Sequence, residues 1–266
     1  MTAVEAALRR QRTLTIAALL LLTLLAWAWL LLGAGMGMPP RAALHLLPAV
    51  SPRGMAGMGI APAGWGIAEL LLAVSMWWVM MMAMMLPAAA PVILLYARAG
   101  EAQGAEPSAP GWFVAGYLAV WGLFSLVAAA LQDGLQRLGV MAPMTMETSA
   151  RLLAAAILVT AGLYQLSPFK EACLARCRNP AAFLSRHYRP GRAGALRMGA
   201  IHGAFCLGCC WLLMALLFVG GVMNLLWVVG LTLIVTIEKL APRGPLIGKA
   251  AGVALAAWGF TKLAGF

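Results

Sequence analysis

From Leu14 to Leu32 the chain carries no charged side chain, and from Leu70 to Tyr96 it again carries none. About 20 apolar residues suffice to cross the hydrocarbon core of a bilayer. In lipid every backbone polar group has to be satisfied within a helix or a closed barrel. These runs are too long, and too lacking in alternation, for barrel strands. Charged residues make up only 10% of the chain and hydrophobic residues 63%, against roughly 25% charged in soluble domains. The expectation is an all-α, polytopic helical bundle, a single integral membrane domain over residues 1–266. Its seven expected spans are 14–32, 67–96, 112–131, 152–166, 198–219, 223–240 and 248–263. An outer loop covers 33–66 and a basic cytoplasmic loop covers 167–197. The first span follows Arg9, Arg10 and Arg12, is longer than a signal-peptide core and lacks a small-residue cleavage site, so it reads as a retained anchor. Pro87 and Pro91 are expected to kink the second.

Threading the spans with the N-terminus in the cytoplasm and the C-terminus outside puts fourteen of the nineteen Lys and Arg on the inner side; Arg41, Arg53, Arg137, Arg151 and Lys262 fall outside. That bias is the positive-inside pattern. The net charge of +11 is thus mainly a topology signal. It also gives the inner loop affinity for anionic headgroups of the lipid bilayer. No nucleic-acid motif accompanies it, and no nucleic-acid partner is expected.

This topology sorts the sulfur residues. All five cysteines lie on or near the cytoplasmic side, a reducing compartment, and their odd number argues against a disulfide framework. Cys173 and Cys177 sit in the basic loop at i, i+4, on one face if that loop is helical. His202, Cys206, Cys209 and Cys210 lie in "IHGAFCLGCCW". At about 100° per residue, the three cysteines fall at roughly 40°, −20° and 80° from His202, within about a quarter-turn. The segment therefore offers an imidazole and two or three thiols to one point. Burying a thiolate is costly, and metal binding deprotonates the thiol and offsets the charge together. Thiolate and thioether select Cu(I), while thiolate with imidazole also suits zinc.

The methionines favour copper. Met36, Met38, Met55, Met58, Met141, Met144 and Met146 fall in outer loops, where neutral thioethers can capture Cu(I) and thiols would oxidise. Met76, Met80 and Met84 share one face of the second span, as a metal relay or as pliable packing beside Trp77 and Trp78. His45 reads as a loop residue. Glu69 opens the second span, and Glu238 with Lys239 closes the sixth; ionisable groups at such depth are functional candidates, although both sites also suit interfacial charges. "CLGCC" lacks the following His of a haem-attachment motif, and "GAGMG" follows no strand, so it is not a nucleotide loop.

"WWVMMMAMMLPAAAPVILLYAR", "YQLSPFKEACLARCRNP", "GALRMGAIHGAFCLGCCWLLMALLFVGGVMNLLWV" and "EKLAPRG" together resemble the bacterial proteins described as predicted metal-binding integral membrane proteins (domain of unknown function 2182). The resemblance runs from about Gly66 to the C-terminus. It implies a multi-pass inner-membrane protein with metal binding at Cys173, Cys177, His202, Cys206, Cys209 and Cys210, and implies no reaction. The leading expectation is handling of Cu(I), by uptake or by delivery to a membrane cuproenzyme, with a metallochaperone as a further partner. One alternative is a thiol–disulfide or quinone-linked redox enzyme using Cys206 with Cys209 or Cys210. Another is a structural membrane subunit whose cysteines only pack.

Overall fold

A computed structural model describes residues 3–33, 65–102, 108–141, 148 and 150–264, with side chains from Arg12 on in the first helix and up to Gly100 in the second. The expected outer-loop residues Met36, Met38, His45, Met55, Met58, Met144 and Met146 lie outside the described residues.

Among the described residues ten helices follow in order: α1 (Ala3–Leu31), α2 (Ile67–Ala102), α3 (Ala109–Arg137), α4 (Arg151–Gln165), α5 (Pro168–Arg178), α6 (Pro180–His187), α7 (Gly191–Ala215), α8 (Leu217–Gly220), α9 (Leu225–Leu240) and α10 (Gly244–Ala264). Among the described residues the sole β pairing is an isolated bridge between Met141 and Thr148. All seven apolar segments are helical. Among the described residues four stretches are long and apolar enough to cross a membrane: Arg12–Leu31, Ile67–Gly100, Ala109–Arg137 and Gly191–Gly220. α4 and α5, bent by 62° at their junction, make a fifth candidate if they count as one crossing. α4 and α9 have 15 and 16 residues, fewer than the roughly 20 of a full crossing. α2 runs on as helix through Pro87 and Pro91.

The expected basic loop is mostly helical, for local reasons. Ser167 caps α5 by accepting a hydrogen bond from the Lys170 N–H at 3.2 Å, and Pro168 occupies the first helical position, where its missing N–H costs nothing. α5 stops at Asn179 because Pro180 disfavours helical backbone in the residue before it. The α7–α9 connection is the expected tight hairpin, with α8 as an extra turn and Asn224 capping α9 through the Leu226 N–H at 3.1 Å.

α3 packs along α7, α4 along α10, and α2 along both α1 and α3. The α3/α7 crossing is almost backbone on backbone. A Cβ at Gly199 would sit 1.9 Å from the Phe113 carbonyl oxygen, and one at Gly116 2.0 Å from that of Leu196. Small residues permit such approaches between apolar helices. α2 supplies much of the core: Met76, Trp77, Met80, Met81, Met84 and Met85 are all fully buried. α1 is a rim helix, with Leu20, Leu21, Leu24 and Leu25 all exposed.

A candidate soft-metal centre on α7

α7 carries a row of soft donors at four-residue spacing: Met198, His202, Cys206, Cys210 and Met214, all buried. Residues at i and i+4 stack one turn apart, about 6 Å along the axis. Cys209, also buried, stands beside the row. Aromatic rings from two helices enclose His202. Its ring lies 5.8 Å from Tyr117 and 6.1 Å from Phe113, both on α3, and 5.2 Å from Phe183 on α6. Its Nδ1 is buried and has no hydrogen-bond partner. A buried, unpaired ring nitrogen costs desolvation energy that a bound cation would recover.

The thiols are held by their surroundings. Cys206 Sγ lies 3.0 Å from Tyr117 Oη and accepts a hydrogen bond from Lys239 Nζ at 2.9 Å. Tyr117 Oη also reaches the Met85 carbonyl at 3.3 Å. Cys209 and Cys210 bond back to the Cys206 carbonyl at 3.0 and 2.9 Å, the same back-bonding that helical Ser and Thr use. Cys210 Sγ also approaches Met85 Sδ at 3.9 Å.

α5 closes the site from the side. Cys177 is in hydrogen-bond contact with Cys209. Cys173 Sγ would lie only 2.9 Å from a Cβ at position 208, so Gly208 is what admits it. Burial raises the Cys173 thiol above its ordinary value, and Cys209 adds to the effect. Tyr164 Oη donates to the Gly208 carbonyl at 2.6 Å, and the Arg176 guanidinium stands 4.5 Å over the Phe205 ring, so α4 and α5 are both tied to α7.

Of the two readings of Glu238 and Lys239, their burial disfavours the interfacial one. Both are buried and they diverge. Glu238 pairs with Lys170 at 2.5 Å and accepts from Gln165 Nε2 at 2.7 Å. Lys170 also donates to Gln165 Oε1. Lys239 instead enters the thiol cluster, in electrostatic reach of Cys177, Cys206, Cys209 and Cys210. Arg178 on α5 donates to the Glu238 and Ala241 carbonyls at 2.5 and 2.8 Å and caps α9. Glu69, by contrast, is exposed.

The structure thus brings Cys206, Cys209, Cys210 and Cys177 together, with Cys173 and His202 at the edge. Among the described residues no three His, Cys, Asp or Glu side chains converge on a ready-made metal position. The physical reason is visible: two thiols are turned back to a carbonyl, and an ammonium lies against the third. Ligation needs those thiols to rotate, and the donor types present suit a soft cation. Met76, Met80 and Met84 are buried, and Met85, also on α2, places its sulfur against Cys210. Met141 is buried near the far end of α7: its bridge partner Thr148 donates its N–H to the Phe218 carbonyl at 2.8 Å.

Sequence reasoning missed Tyr117, Gln165, Lys170, Met198 and Met214 at this site. The four-residue row would have revealed Met198 and Met214. Lys170 and Glu238, opposite charges flanking apolar segments, were a weaker cue, and nothing in the sequence marked Tyr117 or Gln165.

Fold and site together define an all-helical protein, with candidate membrane-crossing helices around a buried set of thiols, thioethers and one imidazole. Residues 74–261 match the profile of the PpoB2 family, described as copper chaperone. The chain belongs to that family. All four motifs quoted above lie inside the matched region, so the match supports a copper-related family. No curated protein and no solved structure matches the chain.

Proposed function

We propose that this protein is an integral copper chaperone of the bacterial inner membrane. It crosses the membrane seven times, with its N-terminus in the cytoplasm and its C-terminus outside. It holds Cu(I) through the thiols of Cys206, Cys209 and Cys210, with His202, Cys173 and Cys177 as further donors, and passes it to a cuproenzyme. Met141 and the outer-loop methionines take part in capture or release outside. The observation that carries this reading is a buried imidazole with an unpaired nitrogen, one turn from the first of three buried thiols, in a member of a copper-chaperone family.

Cu(I) accepts low coordination by soft ligands, so partial convergence of the thiols is less of an obstacle for it than for a four-coordinate zinc site. Burial of Cys206, Cys209 and Cys210 to 1% exposure counts against thiol–disulfide exchange, which needs access for a partner sulfur. The test is metal analysis of detergent-purified protein reconstituted anaerobically with Cu(I) or Zn2+, beside a Cys206→Ser/Cys209→Ser/Cys210→Ser variant. Near-stoichiometric copper that the variant loses is expected. Zinc in its place, or no metal at all, overturns the proposal.

A further inference from the structure

Two contacts between α2 and the α7–α8 stretch run antiparallel and set their relative register. Met85 meets Cys210, sulfur to sulfur, at 3.9 Å. Eight residues back along α2 from Met85, and eight residues on from Cys210 in α8, Trp77 packs on Phe218 with ring centroids 5.3 Å apart. The backbone stays near-helical through the α7/α8 junction, where Leu216 has φ −63 and ψ −19, so the residue count carries across. Midway between the two contacts on α2 is Met81, four residues from Trp77 and four from Met85. Midway on α7 is Met214, four residues from Cys210 and four from Phe218. Both are fully buried, at 0% exposure. By that register, the row that carries Cys210 at the level of Met85 carries Met214 at the level of Met81, one turn away and about 6 Å along the axis.

We propose that Met81 and Met214, together with Met85, form a second Cu(I) station built only of thioethers, one turn beyond the cysteines on the side away from Met198. Met85 is shared: its sulfur already faces Cys210, so copper can pass by ligand exchange without leaving the soft-donor row. No electron moves in this step. A Cu–thiolate bond is replaced by Cu–thioether bonds, and the freed thiolate takes up a proton. Thioethers are neutral and weaker toward Cu(I) than thiolates, which suits a point of release better than one of storage. The inference rests on the copper reading above and adds a second binding position to it.

The test is anaerobic titration of Cu(I) into the full-length detergent-purified protein, in competition with bicinchoninate. Three proteins are compared: wild type, Met81→Leu/Met214→Leu, and Cys206→Ser/Cys209→Ser/Cys210→Ser. Leu keeps the apolar volume of Met and is tolerated in cores. The Leu variant is expected to keep the tight copper and lose one weaker equivalent; the Ser variant should lose the tight copper. A Leu variant that binds as much copper as wild type, at the same affinities, overturns the thioether station while leaving the cysteine reading intact. A Ser variant that keeps its tight copper, beside a Leu variant that loses an equivalent, overturns the cysteine reading and supports the station. The single changes Met81→Leu and Met214→Leu carry the same expectation, and decide the matter if the double variant melts early.

Discussion

Replacing Gly199 by alanine tests how the site is held. The added Cβ would lie 1.9 Å from the Phe113 carbonyl oxygen, and backbone on both sides leaves no flexible atom to yield. Restoring an ordinary contact of about 3.4 Å requires α3 and α7 to separate by roughly 1.5 Å, and a gap of that size forfeits at least half of the dispersion energy of each pair. Over a few tens of atom pairs at ~0.15 kcal/mol each, the loss is about 2–3 kcal/mol. Alanine recovers up to ~1 kcal/mol through its helix propensity, which leaves a net destabilisation of about 2 kcal/mol. Gly230→Ala is the control, since a Cβ there meets nothing within 4 Å; it is expected to be neutral or slightly stabilising. The assay is thermal unfolding of the purified protein followed by tryptophan fluorescence. By the scaling for soluble chains of similar size, Gly199→Ala should melt roughly 4–8 °C below wild type. It should also weaken copper binding, because α3 carries Tyr117 and α7 carries Cys206, now 3.0 Å apart. A Gly199→Ala protein that melts with wild type or above it would refute the close crossing.

Lys170→Met leaves the Glu238 carboxylate buried without its cation and should cost about 3–5 kcal/mol; combining it with Glu238→Gln should recover most of the loss in the same melting assay, and a single variant as stable as wild type would contradict the buried pair. His202→Phe keeps a ring among Tyr117, Phe113 and Phe183 but removes both nitrogens, so the fold should hold while Cu(I) affinity in competition titration drops by about tenfold or more; unchanged affinity would remove His202 from the ligand set. Stripping copper anaerobically from the loaded protein with a Cu(I) chelator should lower the melting temperature, since ligand at 100 times Kd stabilises by about 2.7 kcal/mol; equal melting of loaded and stripped protein would mean that the metal does not bind the folded site.

Hydropathy located the helices because the need to satisfy backbone in lipid acts locally, and each of the seven apolar segments is helical. It read less well how many of them span: α4 and α9 are short, and α4 bends straight into α5. The 3.6-residue period placed His202, Cys206, Cys209 and Cys210 on one face of α7, and the structure keeps them there. Period alone names a face, not the partner across it. Met76, Met80 and Met84 do share a face of α2, but period could not show that Met85 is the residue that meets Cys210. Glu238 and Lys239 show the same limit. Adjacent residues on a helix point about 100° apart, so one finds Lys170 and the other the thiols, and only tertiary packing decides which. Tyr117 belongs to α3, distant in sequence, and reaches Cys206 through a glycine-permitted crossing that no local pattern encodes.

The Lys239 ammonium at 2.9 Å from Cys206 means that any metal entering the cysteines joins a charge already in place, and in a medium of low dielectric the total matters more than any single ligand. One Cu(I) held by two thiolates carries −1, and the ammonium brings the sum to zero. A divalent ion on the same two thiolates leaves +1, and it needs a third thiolate to reach neutrality. Copper moved onto the neutral thioethers also leaves +1 there. On the copper reading proposed above, Lys239 would act as a fixed counter-charge that matches a monovalent metal to two sulfurs, and would make the cysteines the place where copper rests and its neighbour the place it leaves.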